Sequence, residues 1–258
     1  MVFPYKHVLL IGATAGIGKG MAERLIKAGI KDRLDAFARE HGERKAQSLV
    51  FDITKTEETP KFAADVMSTS PDIDCIFFNA GVQGQYDFSQ PEKVDFAKFA
   101  AEFTVNFTSC VALVVAFLPL LAKEKFKAGL IFTGTHLAII PASSLSAYSA
   151  SKAALNSFIL CLRDQLRNTN VDVIEIFPPV VQTELHDYMG KEVGRNMGMP
   201  LNLFTEEVFK GLSSGSDQII IGNIGPGAGI IPREEFLALV DKRRSAFTAL
   251  VKVMRGEK

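Results

Sequence analysis

The sequence predicts an α/β fold: a doubly wound parallel sheet in a three-layer αβα arrangement, formed by a single domain over residues 1–258. Two observations predict it. Short apolar, β-prone runs recur along the chain ("HVLLIGA", "SLVFDIT", "DCIFFNAG", "GLIFTGT", "DVIEIFPP" and "QIIIGN"). The segments between them, such as "EKVDFAKFAAEFTVNFTSCVALVVAFLPLLAKE", have helical spacing and length. Strands alternating with helices imply βαβ units and a sheet covered on both faces. With 47% hydrophobic and 22% charged residues the chain can bury a sizeable core, and no repeat, low-complexity tract or linker divides it.

Taken in order, "HVLLIGA" reads as the first strand and "GKGMAERLIKAGI" as the first helix. The pattern then breaks. "KDRLDAFAREHGE" follows "KAGI" directly and is itself helical, with no strand between. A right-handed crossover should return to the sheet before the next helix starts. Either a strand and loop of about ten residues are absent between about Ile30 and Lys31, or the sheet has lost a central strand. Absence is the preferred reading, because a strand lost from the heart of a parallel sheet would orphan its neighbours' hydrogen bonds. "PREEFLALVDKRRSAFTALVKVM" closes the chain as a helix opened by Pro232 and acidic residues.

Composition excludes several classes. Lys+Arg and Asp+Glu both number 29, so no global charge favours nucleic acid or an anionic membrane. The N-terminus lacks the features of a secretory signal. The longest apolar run, Val111 to Ala122, contains Pro119 and is too short to span a bilayer. Cys75, Cys110 and Cys161 sit in apolar contexts with no close pair and read as small core residues. His7, His41, His136 and His186 form no metal-ligand spacing. A cytoplasmic, reduced, metal-free protein is expected.

"LLIGATAGIGKGMAERL" places Gly12, Gly16 and Gly18 between a strand and a helix, where glycine permits a tight turn and lets backbone N–H groups approach a pyrophosphate. The G-x-x-x-G-x-G spacing resembles the short-chain dehydrogenase/reductase family, a Rossmann-type fold. Further matches follow in order from about residue 6 to 225: Asp52 in "FDIT", "NAG" at Asn79 to Gly81, Asn106 in the long helix, and "FPPVVQT", with Pro179 where the family has glycine. The resemblance implies that the glycine turn, with Thr14, Ala15 and Ile17, holds the cofactor's phosphates. It puts Asp52 and Ile53 by the adenine and Asn79, Ala80 and Gly81 along the cofactor. Pro178, Val181 and Thr183 would lie beside the nicotinamide. The segment that would decide between NAD and NADP is the one absent near 30–31; the basic Lys31 and Arg33 incline the reading to NADP.

Tyr148 and Lys152 are four apart in the helical segment "AYSASKAALNSFILCLRDQL", so both share one face. An ammonium nearby favours the phenolate and should lower the tyrosine pKa from about 10. The resemblance implies that Tyr148 is the acid–base and that Lys152 also holds the nicotinamide ribose. The family's serine sits thirteen residues before the tyrosine, and here that position is Thr135. Its hydroxyl still offers a hydrogen bond to the substrate oxygen. Asn106 would complete a catalytic set by holding a water that relays protons to Lys152. Ser149 and Ser151 read as packing residues; Ser143, Ser144 and Ser146 read as caps, with Ser143 or Ser144 also a candidate for the pocket lining.

Residues 184–215 match the family's variable substrate region. There Met189, Met197, Met199, Leu201 and Phe204 form an adaptable apolar lid, or else a polar loop precedes a packed helix from Thr205. The resemblance implies association into a homodimer or homotetramer through the helices at 95–122 and 148–167. The expected function is transfer of a hydride between NAD(P) and the carbonyl or secondary alcohol of a small, apolar substrate. Alternatives keep the fold and change the role: a non-redox isomerase or cyclase, or a cofactor-sensing binding protein.

Overall fold

The computed structural model describes residues 2–32, 49–123, 126–224 and 231–256, with residues 31 and 32 described by their backbone alone. The apolar runs become β1 (His7–Ile11), β2 (Lys31–Asp32), β3 (Cys75–Phe78), β4 (Ala128–Thr133), β5 (Val171–Phe177) and β6 (Gln218–Ile220). They pair in parallel in the order β2-β1-β3-β4-β5-β6. The order reverses at β1, so the ends of β1 and β3 diverge into the crevice where doubly wound folds take ligands.

The helices cover both faces. On one, α1 (Gly16–Lys27) packs with a later helix, Leu201–Ser213, over Val8, Leu10, Phe77 and Ile176. On the other lie α2 (Thr59–Thr69), α3 (Phe96–Phe103), α4 (Ser109–Leu121) and α5 (Ser146–Gln165), closing over Leu9, Ile76, Leu130 and Phe132. After α5 come α6 (Lys191–Asn196), α7 (Leu201–Ser213) and α8 (Arg233–Arg255). Helix α8 buries Phe236 and Val240 against Phe177 and Ile220, whereas its Leu239 and Leu250 are exposed.

Several expectations are corrected. A strand does follow the first helix: β2 pairs with β1 in the register His7↔Lys31 and Val8↔Asp32, so Lys31 and Asp32 are not helical. The helix expected over the rest of "KDRLDAFAREHGE" lies outside the described residues. So do Arg33 and the side chain of Lys31, on which the inclination to NADP rested. No strand forms over residues 49–54. Phe51 instead stacks on Phe62 of α2 with ring centroids 4.1 Å apart, so its apolar surface is covered by a helix rather than by sheet pairing. Cys161 is exposed, unlike Cys75 and Cys110. Finally, α3 and α4 run on through a π-turn (Thr104–Thr108) as one helix from Phe96 to Leu121, long and apolar enough by composition to cross a membrane. The run Val111–Ala122 therefore understated it. Leu113, Val114, Phe117 and Leu121 nevertheless pack into the core beneath the sheet.

Candidate active site

The turn after β1 is shaped for close approach. Gly12 has φ +82°, and a Cβ there would sit 2.5 Å from the Ala80 Cα; on Gly18 it would sit 2.1 Å from the Gly12 oxygen. Only glycine fits either place, so the first turn of α1 lies tight against the ends of β1 and β3. Asn79 ties the ends together: its Nδ2 donates to the Gly12 carbonyl at 2.9 Å, and its Oδ1 accepts from Thr133 Oγ1 at 3.0 Å. Thr14 and Ala15 are exposed at the mouth of this turn, and Ile17 packs against the core. Across from it, Thr183 lies 3.3 Å from a Cβ on Gly16, and the following Glu184 Oε2 accepts from the Gly16 N–H at 3.1 Å. Pro178 and Val181 are buried after β5, and Val181 bridges to Met199.

At the ends of β3 and β4 the expected catalytic residues converge. Tyr148 is 7% exposed, Thr135 7%, Lys152 3% and Asn106 0%. Thr135 caps a short turn, accepting from the Leu137 N–H at 3.2 Å, and its side chain also hydrogen-bonds Tyr148. Lys152 donates from Nζ to the Thr133 carbonyl at 2.8 Å, and its Nζ stands 5.9 Å from the Tyr148 ring centre. Asn106 sits in the π-turn. Its Oδ1 accepts from the Val82 N–H at 2.9 Å, and its Nδ2 donates to the Val82 carbonyl at 2.9 Å and to Ser151 Oγ at 3.1 Å. Ser151 passes the linkage on, donating to the Tyr148 carbonyl at 2.9 Å. A Cβ on Gly81 would lie 3.4 Å from Asn106 Oδ1 and 3.7 Å from Lys152 Nζ, so these two groups approach one point.

A constellation of Tyr, Lys, Thr and Asn at the strand ends beside a glycine turn has clear precedents. Residues 6–194 match the family described as short chain dehydrogenase. The chain belongs to that family. It is 32% identical over 222 residues to the uncharacterized oxidoreductase DltE of Bacillus subtilis (strain 168), covering 82% of this chain and 86% of that one. It is also 29% identical over 213 residues to the benzil reductase ((S)-benzoin forming) IRC24 of Saccharomyces cerevisiae, covering 75% and 76%. Among solved structures, a short chain dehydrogenase of Burkholderia cenocepacia in complex with NADP superposes with a TM-score of 0.73 at 24% identity, covering 96% of this chain and 98% of that one.

This short-chain dehydrogenase departs from the sequence reading at several points. Burial, the dominant influence, pushes the Tyr148 phenol up rather than down; the hydrogen bond to Thr135 lowers it, and the Glu102 carboxylate raises it further. Burial also lowers the Lys152 ammonium. Asp52 ends no strand: its Oδ1 accepts from the Thr54 N–H at 3.0 Å and the Thr54 hydroxyl at 2.7 Å, bonds that hold its pKa down, and Ile53 beside it is half-buried. Pro179 is accommodated by Gly222, whose φ of +67° and missing side chain leave room 3.1 Å from the proline ring. Of the expected lid, Phe204 is fully buried and Met199 and Leu201 pack on the same core cluster under α7, so only Met189 is exposed and Met197 half-exposed. His136 is buried against the Phe236 ring, 4.7 Å away, and burial lowers its pKa to about 4, a structural role.

Sequence reasoning passed over Thr133 and three acids, and it read Ser151 as packing where its hydroxyl links Asn106 to the Tyr148 carbonyl. Glu102 is buried four residues before Asn106 and therefore one turn along the same helix face. Glu175 is fully buried in β5, accepting from Asn156 Nδ2 at 2.8 Å with Oε1 left without a partner. Its pKa is raised to about 7, chiefly by burial. An acid inside "VIEIF", on a strand buried on both faces, was a readable signal. Glu184, beside the glycine turn, left no comparable trace.

Proposed function

We propose that this short-chain dehydrogenase is an NAD(P)-dependent oxidoreductase acting on a small carbonyl compound or secondary alcohol. The observation that supports this best is the hydrogen-bonded pair of Thr135 and Tyr148 at a buried strand end, with Lys152 one helical turn further along. The glycine turn, with Thr14, Ala15 and Ile17, would hold the cofactor's anionic bridge, and Asn79 to Gly81, Pro178, Val181 and Thr183 its nicotinamide end. NADP is the cofactor carried by the Burkholderia cenocepacia neighbour, and we extend it to this chain ahead of NAD. The bound nicotinamide supplies the hydride chemistry.

The chain's own groups manage the oxygen and the proton. Thr135 donates to the substrate oxygen, which draws charge onto it, and Tyr148 delivers its hydroxyl proton to that same oxygen in reduction. Burial holds Tyr148 protonated, the form that donates in reduction. Lys152 holds the Thr133 carbonyl and with it the strand end that bears Thr135. Asn106 and Ser151 brace α5 against the loop at Val82, a positioning role that stands beside the expected water relay to Lys152. A second copy of the chain would cover the outer face of the Phe96–Leu121 helix, where Phe96 is 75% and Val115 69% exposed.

The test is a panel of carbonyl compounds with NADPH and NADH, followed by the absorbance of the reduced nicotinamide. Tyr148→Phe should lower turnover by at least about 100-fold, the usual worth of a general acid. Undiminished turnover in that variant would overturn the mechanism, and binding without oxidation across the panel would overturn the activity.

A further inference from the structure

Helices α3 and α5 follow consecutive parallel strands, pack against each other and run in the same direction. Asn106 and Ser151 fix their register through a 3.1 Å hydrogen bond. One turn towards the N-terminus on each helix, Glu102 and Tyr148 reach the same level, and the Glu102 charge is among the groups that raise Tyr148.

Glu102 is 3% exposed. Its Oε2 accepts from the Tyr86 hydroxyl at 3.1 Å and stands 3.3 Å from where a Gly84 Cβ would be. Burial raises the Glu102 pKa, while bonds from the Tyr86 hydroxyl and the Gly84 backbone N–H lower it and favour the charged form. Its Oε1 has no hydrogen-bond partner, and no Lys, Arg or His forms an ion pair with Glu102 among the described residues. Tyr188, from the turn at Glu184–Met189, also feels this charge; its hydroxyl donates to Gln83 Oε1 at 3.2 Å. Thus the carboxylate bonds Tyr86 and its charge acts on Tyr148 and Tyr188, side chains that supply hydroxyls and no positive charge.

A half-satisfied buried carboxylate is costly, and this one also opposes ionisation of the tyrosine beside it. A neutral donor would fill the vacant hydrogen bond but leave the charge; a cation would answer both. We propose that Glu102 is a specificity residue that receives a protonated amine, so that the substrate is an amino ketone or amino alcohol. This rests on the hydride-transfer reading above and replaces the apolar substrate expected from sequence.

The experiment compares amino ketones with isosteric neutral ketones, aminoacetone with 2-butanone and 4-amino-2-butanone with 2-pentanone, in the full chain with NADPH. The wild type should prefer at least one aminated member by about tenfold or more in kcat/KM, roughly the discrimination expected of one charge-assisted hydrogen bond. In Glu102→Gln that ratio should fall towards one while the neutral ketone speeds up, because the charge opposing Tyr148 is gone. Wild-type ratios near one, or ratios that the substitution leaves intact, would overturn the assignment. If neither series is reduced, the hydride-transfer reading fails instead, and calorimetry decides the site separately. Binding of 1-amino-2-propanol over 2-butanol that is lost in Glu102→Gln would support it, and equal binding would overturn it.

Discussion

The hydrogen bond between Glu184 and Gly16 places a carboxylate where an anionic cofactor should sit. The Gly16 N–H opens α1 and is one of the donors that a helix start offers to a phosphate. Glu184 takes it at 3.1 Å, at the rim of a cavity of about 260 Å³ lined by Gly16, Lys19, Gln182, Thr183 and Arg195. A pyrophosphate must displace this contact. Glu184 is exposed, so the contact is worth no more than an ordinary N-terminal cap, about 1 kcal/mol. A carboxylate lingering near the incoming phosphates adds about 1 kcal/mol of repulsion in a wet site. Glu184→Ala removes both and should tighten NADPH binding by about 1–2 kcal/mol, or roughly 5- to 30-fold in Kd. Glu184→Gln, which keeps an acceptor but no charge, should fall between. The cofactor-free protein should respond in the opposite sense, with Tm falling by about 2–4 °C in Glu184→Ala as the cap is lost. Titrating NADPH fluorescence at two salt concentrations measures the first effect, and the gain should shrink at the higher salt. An unchanged or weaker Kd in both variants would refute the idea that Glu184 competes with the cofactor.

Two further substitutions test the interior. Glu175 has a folded pKa of about 7, above the carboxylate value of 4.5, so the native state binds more protons than the unfolded one between those values and stability falls as pH rises through that window. Lys152, Arg163 and Arg243 face it and oppose the shift, while Asp217 lies beyond Arg163; burial still wins. Glu175→Gln should therefore remove up to about 3 kcal/mol of this loss, so its Tm should gain on the wild type at pH 8 relative to pH 5. Parallel melting curves across pH would count against it. Phe204→Ala should cost about 3–5 kcal/mol, because Phe204 is 0% exposed in the core that joins α7 to the sheet. A lid residue would leave Tm unmoved, so an unchanged Tm would restore the lid reading.

What could be read from sequence follows from where each signal lies. β1, β3, β4, β5 and β6 were legible because a parallel strand buried on both faces is a continuous apolar run, and no turn chemistry interrupts it. β2 was not, because two residues held only by backbone pairing to His7 and Val8 leave no side-chain pattern. "SLVFDIT" misled for the converse reason: its pattern is strand-like, but Phe62 satisfies Phe51 without a sheet. Tyr148 and Lys152 are local, one helical turn apart, and Thr135 is found by counting back from them. The acids depend on contacts that no window spans: Glu102 on Tyr86, Glu175 on Asn156, and Glu184 on Gly16, 168 residues away. Together they change the electrostatic picture that composition suggests. A formal net charge of zero hides a cleft with a carboxylate near Tyr148, another acting on Lys152 and a third on the glycine turn. The first of these opposes the phenolate and would receive a cation, and the third opposes the cofactor's phosphates at a cavity that Lys19 and Arg195 also line. Cofactor binding should thus be weaker than the glycine turn alone would allow, and a positively charged substrate should offset part of the opposition at Tyr148. If so, the preference for amines will lie in kcat as well as in KM, since the charge that Glu102 gains a partner for is the same one that acts on the proton donor.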